Sequence, residues 1–105
     1  MLDIIFEDFP TVIINNSPTK WINGTISFTN EFPVKLKKIL LYKLGDNYYC
    51  HIKILGEQYI LDKNDIEIDL FDSELIKNKK WEFQIQIVPK LPSNTFLDFN
   101  VEIVF

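Results

Sequence analysis

A chain of 105 residues and 12.4 kDa is the size of one domain, so residues 1–105 are read as a single unit. Its 47% hydrophobic content, with nine Phe, four Tyr and two Trp, supplies an ordinary core without metal or disulfide and excludes a disordered chain. Eleven basic residues stand against 15 acidic ones, net charge −4, and every basic residue is Lys. Without the bidentate fork of Arg, and at a pI of about 4.9, the composition argues against a nucleic-acid reader.

The longest apolar stretches, such as Ile39-Leu40-Leu41-Tyr42, are far short of the roughly 20 residues that span a bilayer, and no charged-then-apolar leader opens the chain. The expectation is a soluble, cytoplasmic protein with no membrane span. Cys50 is the single cysteine, so no intrachain disulfide forms, which fits a reducing compartment.

Taken in chain order, the hydrophobic pattern predicts strands over 2–7, 11–14, 20–29, 34–44, 48–55, 57–61, 65–70, 80–88 and 97–105. The strings Asn15-Asn16-Ser17 and Asn23-Gly24-Thr25 satisfy the glycosylation pattern and are read as turn chemistry. Asn15 to Pro18, Asn30 to Pro33, Gly45-Asp46-Asn47, Leu55-Gly56-Glu57 and Pro89 to Asn94 punctuate the strands.

In 34–44 the alternation slips: Val34 and Leu36 are even-numbered, Ile39 and Leu41 odd, which predicts a bulge near Lys37-Lys38 or a strand with apolar partners on both faces. Tyr48, Cys50, Ile52 and Ile54 alternate with Tyr49, His51 and Lys53, and Ile66, Ile68 and Leu70 with Asp65, Glu67 and Asp69. Asp72 to Lys77 is the one window with a cap and spacing for a turn of helix. Trp81, Phe83, Ile85 and Ile87 share one face of the next strand, and Leu97, Phe99, Val101, Ile103 and Phe105 one face of the last.

One apolar and one polar face per strand is how antiparallel sheets cover a shared core. The predicted fold class is therefore all-β: an antiparallel sandwich of about eight or nine strands with little or no helix.

The inventory for catalysis is thin. His51 is the only histidine, and Cys50 alternates with core residues. Neighbours in a strand point to opposite faces, so Cys50 and His51 do not form a thiolate–imidazole pair. Six carboxylates between Asp62 and Glu74 miss the calcium-loop spacing and read as a solvated strand face. No catalytic residue, metal site or cofactor is assigned. Trp21, Tyr42, Tyr49, Tyr59 and Phe71 are aromatics whose inward orientation alternation does not secure; clustered on one surface they would make a stacking platform for sugar or an anchor for a protein.

The run Trp21-Ile22-Asn23-Gly24-Thr25-Ile26-Ser27-Phe28, followed by Phe32-Pro33-Val34 through Leu44-Gly45, resembles the first half of an arrestin-like domain. There a strand opens on an apolar residue and Gly, and a later strand ends in a leucine-glycine pair. The stretch from Ile76 through Trp81 to Leu91-Pro92-Ser93 is similar to the family's aromatic-rich strand and the Leu-Pro-Ser segment after it. Lys43 stands where an apolar residue is usual, Asn78 replaces a Gly, and one sandwich replaces the two of arrestins. The resemblance implies an immunoglobulin-like sandwich, non-enzymatic, that binds other proteins as an adaptor or regulator, as retromer-type and sporulation-control relatives do.

The expected function is a small intracellular adaptor or scaffold that binds a protein through a sheet edge or an apolar patch. The candidate surface is Lys35, Lys37, Lys38, Leu40, Tyr42 and Lys43, with Tyr49, His51 and Lys53 joined to it if the two strands pair as a hairpin around Gly45-Asp46-Asn47. Its lysines favour an acidic or phosphorylated partner; the same lysines read equally as guards on a sheet edge. The alternative function is a self-associating structural sandwich, a dimer or larger assembly such as a viral or appendage component. For that reading Leu40, Tyr42 and Val104 are the out-of-phase apolar residues.

Overall fold

Trp81, Phe83, Ile85 and Ile87 are buried while Glu82 and Gln84 between them are exposed, and this period of two organises the whole molecule. A computed structural model describes residues 2–6, 12–13, 17–43, 45–71, 74–90, 95–96 and 99–105. Its strands are β1 (Leu2–Phe6), β2 (Val12–Ile13), β3 (Ile22–Val34), β4 (Lys38–Lys43), β5 (Tyr48–Ile54), β6 (Glu57–Leu61), β7 (Ile66–Asp69), β8 (Ile76–Pro89), β9 (Thr95–Phe96) and β10 (Phe99–Val104). A five-stranded sheet in the order β1-β3-β8-β5-β6 and a three-stranded sheet in the order β10-β4-β7 are antiparallel throughout, and β2 pairs with β9. The fold is an all-β sandwich, and no helix occurs among the described residues.

The two apolar faces meet in one core. Ile22, Ile26, Cys50, Ile52, Trp81 and Ile85 come from the large sheet, and Ile39, Leu41, Ile68 and Val101 from the small one. Register brings the small sheet's contributors side by side: Ile39 lies opposite Ile68 on one side and Ile103 on the other, and Leu41 opposite Val101. Each such side chain, taken out of water, contributes about 1.5–3 kcal/mol.

Several expectations change. The predicted strand 34–44 is two elements in different sheets: Val34 ends β3 in the large sheet and Lys38 opens β4 in the small one. Lys35-Leu36-Lys37 crosses between them, with Leu36 only 1% exposed at the crossing. The shift of apolar parity is this change of sheet, since a strand joining the opposite sheet must turn its other face to the core. Consequently β4 and β5 form no hairpin: β4 lies between β10 and β7, β5 between β8 and β6.

The predicted 80–88 strand runs instead from Ile76 to Pro89, so Ile76 and Lys77, placed in the helical window, are extended. Asn23-Gly24-Thr25 is mid-strand in β3, and so is Asn30 to Pro33, where the β3–β8 register is irregular between Thr29 and Val34. Asn15-Asn16, Asp72, Ser73 and Leu91 to Asn94 lie outside the described residues, as does Leu97.

At ~3.3 Å per residue, the 14 residues of β8 account for the long axis of a molecule measuring 46 × 24 × 22 Å.

Candidate functional site

The sandwich divides the sequence-predicted surface among three places. Lys35 and Lys37 are exposed on the crossing. Lys38, Leu40 and Tyr42 lie on the outer face of the small sheet, opposite Val104, Glu102 and Asn100 of β10, while β7 sets Asp69 against Lys38 and Glu67 against Leu40. That face is acidic. Lys38 is paired with Glu67 at 3.4 Å, and the Tyr42 hydroxyl donates to Glu102 at 3.1 Å. Desolvation first, then this carboxylate, holds the phenol above its ordinary pKa. Because β4 is the middle strand of its sheet, paired on both sides from Lys38 to Leu41, the docking-edge and guarded-edge readings lose their geometric basis over that stretch.

Lys43 points inward with Ile39 and Leu41, its side chain 2% exposed. Its Nζ donates to the Gly45 carbonyl, stands 5.1 Å from the centre of the Tyr48 ring and lies 3.9 Å from Asp62. Asp62 also accepts from Lys90 Nζ. This hydrogen bond, ahead of the charges of Lys90, Lys43 and Lys63, holds the Asp62 carboxyl below its usual range against the opposing effect of desolvation. The cluster ties the ends of β4, β6 and β8 together. It is a structural use of a lysine that the sequence placed on a binding surface.

Tyr49, His51 and Lys53 share the outer face of the large sheet, on the other side of the molecule from Leu40 and Tyr42. Trp21 joins them: Lys53 Nζ sits 4.1 Å from the centre of its ring, and His51 is 6.4 Å from Trp21 and 5.5 Å from Tyr49, ring centre to ring centre. Cys50 points into the core at 0% exposure, and burial pushes its thiol up to about 12, with the Lys43 charge acting in the opposite sense. The Cys50 and His51 side chains therefore occupy opposite faces, as the strand geometry requires.

A surface that the pattern did not single out lies at one end of the molecule. Pairing of β8 with β5 begins at Phe83, opposite Ile54, whereas pairing with β3 continues back to Ile76, opposite Val34. From Ile76 to Glu82, β8 thus has no ladder partner on its β5 side among the described residues, and Lys77, Asn78, Lys79 and Lys80 are all exposed.

Three exposed apolar side chains belong to this end: Phe32, 71% exposed, on β3 itself, Leu75, 64%, immediately before β8, and Phe71, 86%, after β7. Lys35 and Lys37 are on the adjoining crossing, where Leu70 N donates to the Lys37 carbonyl at 2.9 Å. Five of the chain's 11 lysines collect at this end, with Glu31, Asp69, Asp72, Glu74 and Glu82 as acidic neighbours in sequence. Phe71 has φ of +52°, a left-handed conformation that costs a bulky residue about 1 kcal/mol or more. The available sequence signals were the Lys77-Asn78-Lys79-Lys80 run and the unsecured Phe71. What hid the site is that its open edge depends on where β5 stops.

Compared with protein-family models and with curated proteins, the chain matches none.

Proposed function

We propose that the protein is a small non-enzymatic adaptor, an immunoglobulin-like sandwich of the arrestin-like kind, that docks an acidic, extended segment of a partner protein along the open edge of the β8 arm. The observation that carries the reading is the seven-residue stretch Ile76–Glu82, which has no ladder partner on its β5 side among the described residues, with exposed Leu75 just before it, exposed Phe32 on the paired strand β3 and exposed Phe71 beyond β7. A strand edge supplies unpaired backbone donors and acceptors for an added strand, and apolar anchors beside it supply the affinity. Lys35, Lys37, Lys77, Lys79 and Lys80 favour an acidic or phosphorylated segment through charge complementarity. The cytoplasmic setting expected from the single cysteine is compatible with such a role.

Self-association, the structural alternative, is disfavoured at this edge. Two copies pairing through β8 would bring Lys77, Lys79 and Lys80 of one against the same residues of the other, and like charges across a ladder are destabilising.

The test is photocrosslinking from benzoylphenylalanine placed at Phe71, Leu75 or Lys79, with Asp46 as a distant control. Discrete crosslinked species from the three arm positions, absent from Asp46 and, for the probes at Phe71 and Leu75, lost in Lys79→Glu/Lys80→Glu, support the reading. Equal capture from Asp46, or crosslinks only to a second copy of this chain, overturns it.

A further inference from the structure

The outer face of the large sheet holds a shallow groove of about 620 Å³ that the β8 arm does not explain. Pairing register lays a row of polar side chains across its floor on four successive strands. Asn23 on β3 is opposite Gln84 on β8, Gln84 opposite Lys53 on β5, and Lys53 opposite Gln58 on β6. With strands ~4.8 Å apart the row is about 14 Å long. Gln84 Nε2 donates to Asn23 Oδ1 at 3.0 Å, which fixes the two amide planes against each other. The carboxylate of Glu82, from β8, lines the same groove, as does that of Glu57 at the start of β6. Beside the row, outside the groove's own lining, the Trp21 indole carries Lys53 over its face at 4.1 Å.

We propose that this groove binds a short neutral oligosaccharide. Sugar hydroxyls each donate and accept, in adjacent pairs, and side-chain amides and carboxylates are the groups that answer such pairs in a plane. An aromatic ring beside them packs the apolar C–H face of a pyranose, so that a few placed polar groups and the Trp21 indole together define the site. Other ligand chemistries fit less well. One lysine against two glutamates does not favour an anion, and no group of three His, Cys, Asp or Glu is placed to hold a metal among the described residues. An added peptide strand would lie along an edge, whereas this row runs across the strands.

The experiment is a titration of the full chain, labelled with ¹⁵N, against cellohexaose, mannohexaose and chitohexaose up to about 10 mM. The readouts are the side-chain amide signals of Asn23, Gln58 and Gln84 and the Trp21 indole signal. The expected result is a saturable shift of these signals with at least one sugar, weakened at least about tenfold in Gln84→Ala and unchanged in Lys79→Ala on the arm. Gln84 is exposed, so its replacement leaves the core intact. No saturable shift with any of the three sugars, or binding that Gln84→Ala leaves untouched, overturns the proposal, and neither outcome bears on the arm.

Discussion

Gly24 lies face to face with the ring of Phe83, directly opposite it in the β3–β8 ladder: a Cβ on residue 24 would stand 2.5 Å from Cζ of that ring. The ring has nowhere to retreat, since Phe83 is 3% exposed and meets Phe6 edge-on at 5.6 Å between centres. This is why a glycine occupies mid-strand, where it would otherwise weaken the ladder. Gly24→Ala is expected to cost about 1–3 kcal/mol through overpacking, read as a lower urea midpoint at unchanged slope. A change under about 0.5 kcal/mol would mean that the ring has room to shift.

The β5–β6 hairpin closes on two residues, Leu55 and Gly56, with φ of +52° and +77° between the paired Ile54 and Glu57. Positive φ at both positions is the mirror-image turn that suits the twist of paired strands, and Asn-Gly is its preferred sequence. Leu55 is half exposed and pays a steric penalty there. Leu55→Asn should stabilise the protein by about 0.5–1 kcal/mol, seen as a rise in Tm. A fall would show that the leucine side chain contributes packing that outweighs the strain.

Asp62 gives the fold a pH dependence of definite sign. Its folded pKa is lowered, chiefly by the Lys90 hydrogen bond, so the stabilisation is fully present above the unfolded carboxylate value of about 3.9 and is lost as pH falls through the lower folded value. Asp62→Asn should flatten this part of the acid limb relative to the parent while lowering stability at neutral pH. Identical urea midpoints for the two proteins from pH 7 down to about pH 3 would contradict the assignment.

Cys50 should be silent in the folded protein. It is fully buried, and its thiol is raised to about 12, so neither access nor thiolate is available at pH 8. Ellman's reagent is expected to find no thiol in the native state and one per chain in concentrated urea. Rapid labelling without denaturant would place the side chain outside the core.

Much of this architecture was legible in the order of residues, and the reason is local. In a strand the face of each side chain follows from parity alone, so the buried set Tyr48, Cys50, Ile52 and Ile54, the buried set Trp81, Phe83, Ile85 and Ile87, and the turn at Leu55-Gly56 could be read without coordinates. Parity does not say which sheet a strand enters. The crossing at Lys35-Leu36-Lys37 has the composition of a strand, and only the packing of Leu36 between the sheets turns it into a change of layer. That one event separates Leu40 and Tyr42 from Tyr49, His51 and Lys53, and it makes β4 a central strand.

Lys43 is a second case. Sequence marks it as polar, while its burial rests on partners 2, 5, 19 and 47 positions away, Gly45, Tyr48, Asp62 and Lys90, the last acting through Asp62. The open edge of the β8 arm and the cross-strand row from Asn23 to Gln58 are likewise products of strand length and register. Which side chains face the core is set by periodicity within a strand; which surfaces are formed is set by pairings between residues distant in the chain, and those are decided only when the two layers close on each other.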